Sequence, residues 1–197
     1  SVAFAGEYWP AQTVQKIHTQ EQAAFTGHPR AGYPANSYHR LTITQREYWL
    51  EQAQQRLEQA QNRLSQQRIC VYYAAPQPIE QIIEQLNDLI QHQPDGVILL
   101  GYGLGNLPDH PKIRQLLESA QQSGCLIVLA TQVPFGGTEV RYASGDWLAA
   151  LGVLPSARLT LPAIYARLLW ICTTQSSTDQ RRRRWLHCLN DTRTHKR

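Results

Sequence analysis

The residues best suited to chemistry lie in Gly101-Tyr102-Gly103-Leu104-Gly105-Asn106-Leu107-Pro108. Glycines at alternate positions let a backbone turn tightly, take positive φ and approach another surface closely. Such a loop is either a binding loop or a tight connection to the next helix. It does not fit a dinucleotide fingerprint, because Asn106 stands where the third glycine of GxGxxG belongs. A second stretch, Phe135-Gly136-Gly137-Thr138, places a hydroxyl after two glycines. Thr138 could be a strand-end nucleophile, but no Asp–Lys pair or His partner is visible to activate it. A glycine turn after a strand is the simpler reading. The seven histidines show no metal-pair spacing, and neither GxSxG nor HExxH occurs.

The element that must carry the first loop is Val97 to Leu100, a short apolar run without alternation, as in a strand covered on both faces. In open parallel sheets, ligands sit in the crevice outside the strand C-termini, where this loop would emerge. Ile69 to Ala74 and Leu126 to Ala130 read as strands of the same kind, with helices over Pro78 to His92 and Pro111 to Ser123. Further helices are expected over Ser144 to Leu151 and Leu161 to Ile171. The predicted class is α/β: a three-layer parallel sheet with helices on both faces, plus two N-terminal strands and a long inserted helix. The two strands are Ser1 to Ala5 and Gln12 to Thr19, with Gly6 to Pro10 a turn and Phe25 to Tyr38 a loop. The long helix spans Thr44 to Arg68. Thr44 and Glu47 suggest a capping box, and Leu50, Ala53, Leu57, Ala60 and Leu64 form a narrow stripe. That stripe is either a buried seam of a surface helix or a partner-binding or dimer seam.

The net charge of +4 is uneven. Residues 181–197 hold seven Lys/Arg and one acid, while the rest hold twelve and fourteen. A nucleic-acid footprint over the whole domain is therefore not supported. The Arg181 to Arg184 run reads as a solvated helix face or frayed tail. No signal-peptide pattern and no membrane-spanning apolar run are present. Four dispersed cysteines without a CxxC pair favour a reducing, cytoplasmic setting over disulfides or zinc.

Val97 to Arg167 resembles the C-terminal half of the L-asparaginase family, of the cytoplasmic type I kind. The resemblance is carried in order by GYGLGNLP at 101–108, IVLATQ at 127–132, Gly136-Gly137, Ser144-Gly145, Leu151-Gly152-Val153-Leu154 and Leu161 to Trp170. The opening, with Lys16-Ile17-His18-Thr19 and Ala24-Phe25, is similar to the family's late N-domain strands. The resemblance implies hydrolysis of L-asparagine, or a related small amide, to aspartate and ammonia, with no cofactor or metal. The family's Thr nucleophile and Thr–Lys–Asp set lie in TGGT and HGTDT motifs that are absent here.

The chain alone is thus expected to be inactive, with no catalytic residue of its own. Its expected partners are other copies of itself or a catalytic N-terminal half, not a membrane. The implied substrate-contacting set is Asn106, Tyr102, Gly103, Gly105, Thr131 and Gln132. Asn106 would reach a neighbouring subunit's site, with an amide that both donates and accepts. Leu100-Gly101 replaces the Arg-Ser of some members, which gives no support to an effector site there. The implied organisation is 1–40 as the end of an N-terminal domain, 41–68 as a linker helix, 69–175 as a C-terminal α/β domain and 176–197 as a basic tail. A non-catalytic binding or assembly domain is the alternative reading.

Overall fold

A computed structural model describes residues 2–4, 7–21, 23–27, 43–134, 137–138 and 146–193. Its centre is a four-stranded sheet in the order β5-β6-β7-β8, formed by β5 (Ile69–Tyr73), β6 (Gly96–Gly101), β7 (Leu126–Thr131) and β8 (Leu154–Pro155). Every pairing is parallel. Strand β6 sits between β5 and β7, with Val97 opposite Cys70 and Ile127, and all six of its residues are buried. This confirms the α/β class and explains the unbroken apolar run, since a central strand with helices on both faces has no side to give to water.

One face is packed by α2 (Ile79–Gln91) and α3 (Pro111–Gln122), through Ile82, Leu86, Ile113 and Leu117 against Val97, Leu99 and Ile127. The short α4 (Asp146–Ala150) adds Trp147 and Leu148 to that core. The other face is packed by α5 (Leu161–Thr174) and α6 (Thr178–Arg193). There Ile164, Leu168 and Trp185 meet Ile98, Leu126 and Val128. Trp185 is fully buried, and its indole N–H donates to the Pro155 carbonyl at 2.9 Å.

The Arg run is therefore not a frayed tail. It opens a helix whose Trp185 and Leu189, four residues apart, reach the core. Arg181 donates to the carbonyls of Cys172 and Gln175 and lies 3.7 Å from Asp95, which anchors α6 to the end of α5. Only Arg183 and Arg184 of the run are exposed.

The N-terminal region departs from expectation. It forms two antiparallel hairpins, β1 (Val2–Phe4) with β2 (Glu7–Trp9) and β3 (Val14–Lys16) with β4 (Phe25–Gly27). Glu7–Trp9 is thus a strand and not part of a turn, because Tyr8-Trp9 is strand-favouring and finds a partner in Val2–Phe4. Phe25–Gly27, read as loop, pairs with Val14–Lys16. A Cβ at Gly27 would lie 2.6 Å from the Thr13 carbonyl, so this glycine serves close pairing. The Phe4 and Phe25 rings meet edge-on at 4.8 Å, and the Thr160 amide donates to the Gln12 carbonyl, which ties the hairpins to the sheet domain. The rest of the expected 25–38 loop lies outside the described residues.

Helix α1 (Ile43–Leu64) begins before Thr44 and ends before Arg68. Thr44 is its second residue, so the capping-box reading does not hold. The expected buried seam is open. Leu50 is 69% exposed and Leu57 58%, while Ala60, beside α5, is buried.

Candidate functional site

Three strand ends converge at the carboxyl edge of the sheet. Strand β5 delivers Ala74 and Ala75, β6 delivers residues 101–106, and β7 delivers Thr131 to Val133. The β6 loop is a closed turn. The Tyr102 amide donates to the Asn106 carbonyl at 2.9 Å, and the amides of Gly105 and Asn106 both donate to the Tyr102 carbonyl at 2.8 Å. The three glycines make this possible in different ways. A Cβ at Gly101 would lie 2.5 Å from the Gly105 carbonyl carbon, whereas Gly103 and Gly105 hold φ of 49° and 106°.

The neighbouring strand ends hold this turn in place. The Tyr102 hydroxyl donates to the Ala75 carbonyl, and the Thr131 hydroxyl donates to the Gly103 carbonyl while accepting from the Val133 amide. The Gln132 side-chain NH₂ donates to the carbonyls of Ala74 and Leu100, reaching across β6 to the end of β5. Where the turn leaves, Arg114 grips Asp109 at 2.6 and 2.7 Å. That bidentate bond holds the Asp109 carboxyl below the usual carboxylate range. His110 caps α3 by accepting from the Lys112 amide.

The structure thus brings all six predicted residues to one edge, but in two roles. Tyr102, Thr131 and Gln132 spend their donors on backbone carbonyls, the first two bracing the turn and Gln132 joining the ends of β5 and β6 beside it. Asn106 sits half-buried at the turn's end, its backbone paired with Tyr102. The braces were not distinguishable by sequence, since Gln132 and Ala74 lie 58 residues apart.

Beside the turn, on the α5 side, is an open cleft of about 150 Å³. Thr131 and Gln132 line it together with Tyr73, Gln15, Thr160 and Arg158. Tyr102, Gly103, Gly105 and Asn106 do not. Nothing in the spacing of Tyr73, Gln15 and Arg158 singled them out, because they come from three separate stretches.

Thr138 is buried, and its hydroxyl lies 3.2 Å from the Ser156 hydroxyl while accepting from the Ser156 amide. These bonds involve no base, so the turn reading of Thr138 stands over the nucleophile reading. His18 accepts from the amides of Gln20 and Glu21, forming a local turn. Burial pushes the thiols of Cys125 and Cys172 up to about 12, far from a reactive thiolate. Among the described residues, no group of three His, Cys, Asp or Glu is placed to hold a metal. No helix among them is long and apolar enough to cross a membrane.

The carboxyl-edge loops of this parallel α/β sheet are hydrogen-bonded to one another, and the described bonds include no nucleophile–base pair. A family model described as "Glutaminase/Asparaginase C-terminal domain" matches residues 68–185. The chain belongs to that family.

Among its relatives, L-asparaginase 1 of Escherichia coli K12 is 27% identical over 119 residues, which is 56% of this chain and 35% of that protein. The L-asparaginase of Thermococcus kodakarensis is 34% identical over 79 residues, covering 39% of this chain and 24% of that protein. The crystal structure of L-asparaginase I from Vibrio cholerae superposes with a TM-score of 0.52 at 28% identity, covering 60% of this chain and 35% of that one. The chain thus spans about a third or less of the curated relatives it matches.

Proposed function

We propose that this chain is the C-terminal part of an L-asparaginase-type amidohydrolase that converts L-asparagine and water to L-aspartate and ammonia. In this reading, a catalytic half supplies the Thr nucleophile and the Thr–Lys–Asp set, on the same polypeptide or on another. This chain supplies assembly contacts and closes the substrate site with its Gly101–Asn106 turn. The single observation that carries the reading is the bracing of that turn. The hydroxyls of Tyr102 and Thr131 hold it, the Gln132 side chain ties together the strand ends beside it, and Asn106 stands at its end. A rim held this way positions one amide without conformational search, which is what a site-closing residue requires. Four free thiols accord with a cytoplasmic setting.

The test is asparagine hydrolysis by the complete enzyme, with the catalytic half present. Asn106→Ala should lower kcat/KM by roughly five- to 150-fold, the equivalent of about 1–3 kcal/mol for one hydrogen-bonding group in a polar site. Purified chain alone should release no ammonia above a boiled control. An unchanged kcat/KM in the Asn106→Ala enzyme would remove the site-closing role and favour a non-catalytic assembly domain.

A further inference from the structure

The carboxyl ends of β6 and β7 are both fastened to the segment that follows β5. The Ala74 carbonyl accepts from the Gln132 side chain, and the Ala75 carbonyl accepts from the Tyr102 hydroxyl. That segment is itself held by Gln77. Its Nε2 donates to Oε1 of Gln85, on α2, at 2.8 Å and to the hydroxyl of Tyr72, on β5, at 3.3 Å. Its Oε1 accepts from Nε2 of Gln85 at 3.2 Å. We propose that Gln77 is a positioning residue: with Gln85 it fixes residues 75–78 as the anchor of the 101–106 turn, and so sets where Asn106 stands.

The bonds leave Gln77 one orientation. A primary amide carries two N–H donors and one carbonyl acceptor. Here both donors and the acceptor are engaged, and their partners lie on two different elements. Tyr72 is in the core, and burial pushes its phenol up, so it stays a neutral hydroxyl. Gln85 precedes the buried Leu86 on α2. Gln77 thus ties the segment both to the sheet and to the helix that covers it.

The sequence stiffens the same segment. The rings of Pro76 and Pro78 fix φ, and Pro78 holds −54°. Ala75 and Gln77 each precede a proline, which confines them to extended backbone. Such a segment can swing as a unit but bends little within itself, and the Gln77 bonds stop the swing. Gln77 is half-buried and Gln85 exposed, so water competes for these bonds and their net worth to the fold is small. Their effect on placement is larger, because the next links are direct. The Ala75 carbonyl takes the Tyr102 hydroxyl, and the Tyr102 carbonyl takes the amides of Gly105 and Asn106 at 2.8 Å.

The effect on hydrolysis rests on the functional reading above, so the experiment has two arms. The first measures hydrogen exchange of the Gly105 and Asn106 amides in the full chain, with the fold checked by circular dichroism. Exchange should speed up at least about threefold in Gln77→Ala, as the turn opens more often. It should return toward the wild-type rate in Gln77→Glu, whose carboxylate accepts from Gln85 Nε2 and from the Tyr72 O–H. Unchanged exchange in Gln77→Ala, or equal exchange in the Ala and Glu variants, would overturn the proposal. The second arm uses the complete enzyme with its catalytic half. Gln77→Ala should lower kcat/KM about three- to tenfold and add nothing in an Asn106→Ala background, since residues that act through one another are not additive. Two losses that simply multiply would overturn the link from Gln77 to Asn106. Faster exchange in an enzyme whose kcat/KM ignores Asn106→Ala would support the anchor and remove the site-closing role instead.

Discussion

Helices α1 and α2 both carry apolar residues at helical spacing, yet the fold covers only one of them. In α2, Ile79, Ile82, Ile83, Leu86, Leu89 and Ile90 fill a wide stripe within 13 residues. Ile82 and Leu86 are 2% and 0% exposed against the sheet. In α1, Ile43, Leu50, Leu57 and Leu64 recur every seven residues along 22, and those side chains face outward. A wide stripe matches the broad surface of a sheet, whereas a thin one gives a sheet too little apolar surface to bury. The difference teaches that the width of a stripe, more than its existence, decides whether the sheet covers it.

The sharpest way to break this comparison is to truncate one residue from each stripe. Leu86→Ala should cost about 2–5 kcal/mol, because it leaves a hole in a closed core. Leu57→Ala should cost under about 0.5 kcal/mol at high dilution, where the side chain is already in water. Urea unfolding monitored by circular dichroism measures both. Similar costs for the two would mean that α1 is covered within its own chain.

A second pair probes the turn at the carboxyl edge. Gly101→Ala places a methyl group 2.5 Å from backbone that cannot yield without opening the turn, and should cost about 1–3 kcal/mol, at the upper end of that range. Gly103→Ala meets no atom within 4 Å, so only the strain of its φ of 49° remains, about 1 kcal/mol. Thermal unfolding of the two variants should rank them in that order. The reverse order would show that the turn is not held by its braces.

These contrasts also show what the sequence made legible. The strands β6 and β7 declared themselves because both their faces are dry, and apolar residues without alternation have no other home. The short β8 holds two residues, one of them Pro155, and no local pattern marks so short a strand. The hairpin strands Glu7–Trp9 and Phe25–Gly27 lie among glycine and proline, and only their pairing partners make them strands. At the site, the alternating glycines announced a turn. That Gln132 reaches Ala74 and Leu100 is a tertiary fact, and an amide side chain in a sequence does not say whether it faces a ligand or a carbonyl. The four consecutive arginines suggested a solvated face and hid the stripe of Trp185 and Leu189 behind them.

That last misreading sets the finest comparison, between two arginines of one run. Arg181 donates from Nε to the Gln175 carbonyl at 3.0 Å and from Nη2 to the Cys172 carbonyl at 3.1 Å. Both acceptors sit at the C-terminal end of α5, where the last carbonyls lack helical partners and the helix dipole favours a cation. Asp95, at the start of β6, adds a charge at 3.7 Å. Removing this side chain should strand partly buried carbonyls and loosen α6, with Trp185, from the sheet. Arg181→Ala should therefore cost about 1–2 kcal/mol, in the range for hydrogen bonds from a charged donor. Arg181→Lys should recover only part of this, since one ammonium cannot reproduce the planar fork. Arg183 points into water, so Arg183→Ala should stay within about 0.5 kcal/mol. Hydrogen exchange of the Trp185 indole N–H separates the two outcomes. It should speed up in Arg181→Ala and stay unchanged in Arg183→Ala. Equal exchange in both variants would mean that the buried tryptophan alone holds α6 in place.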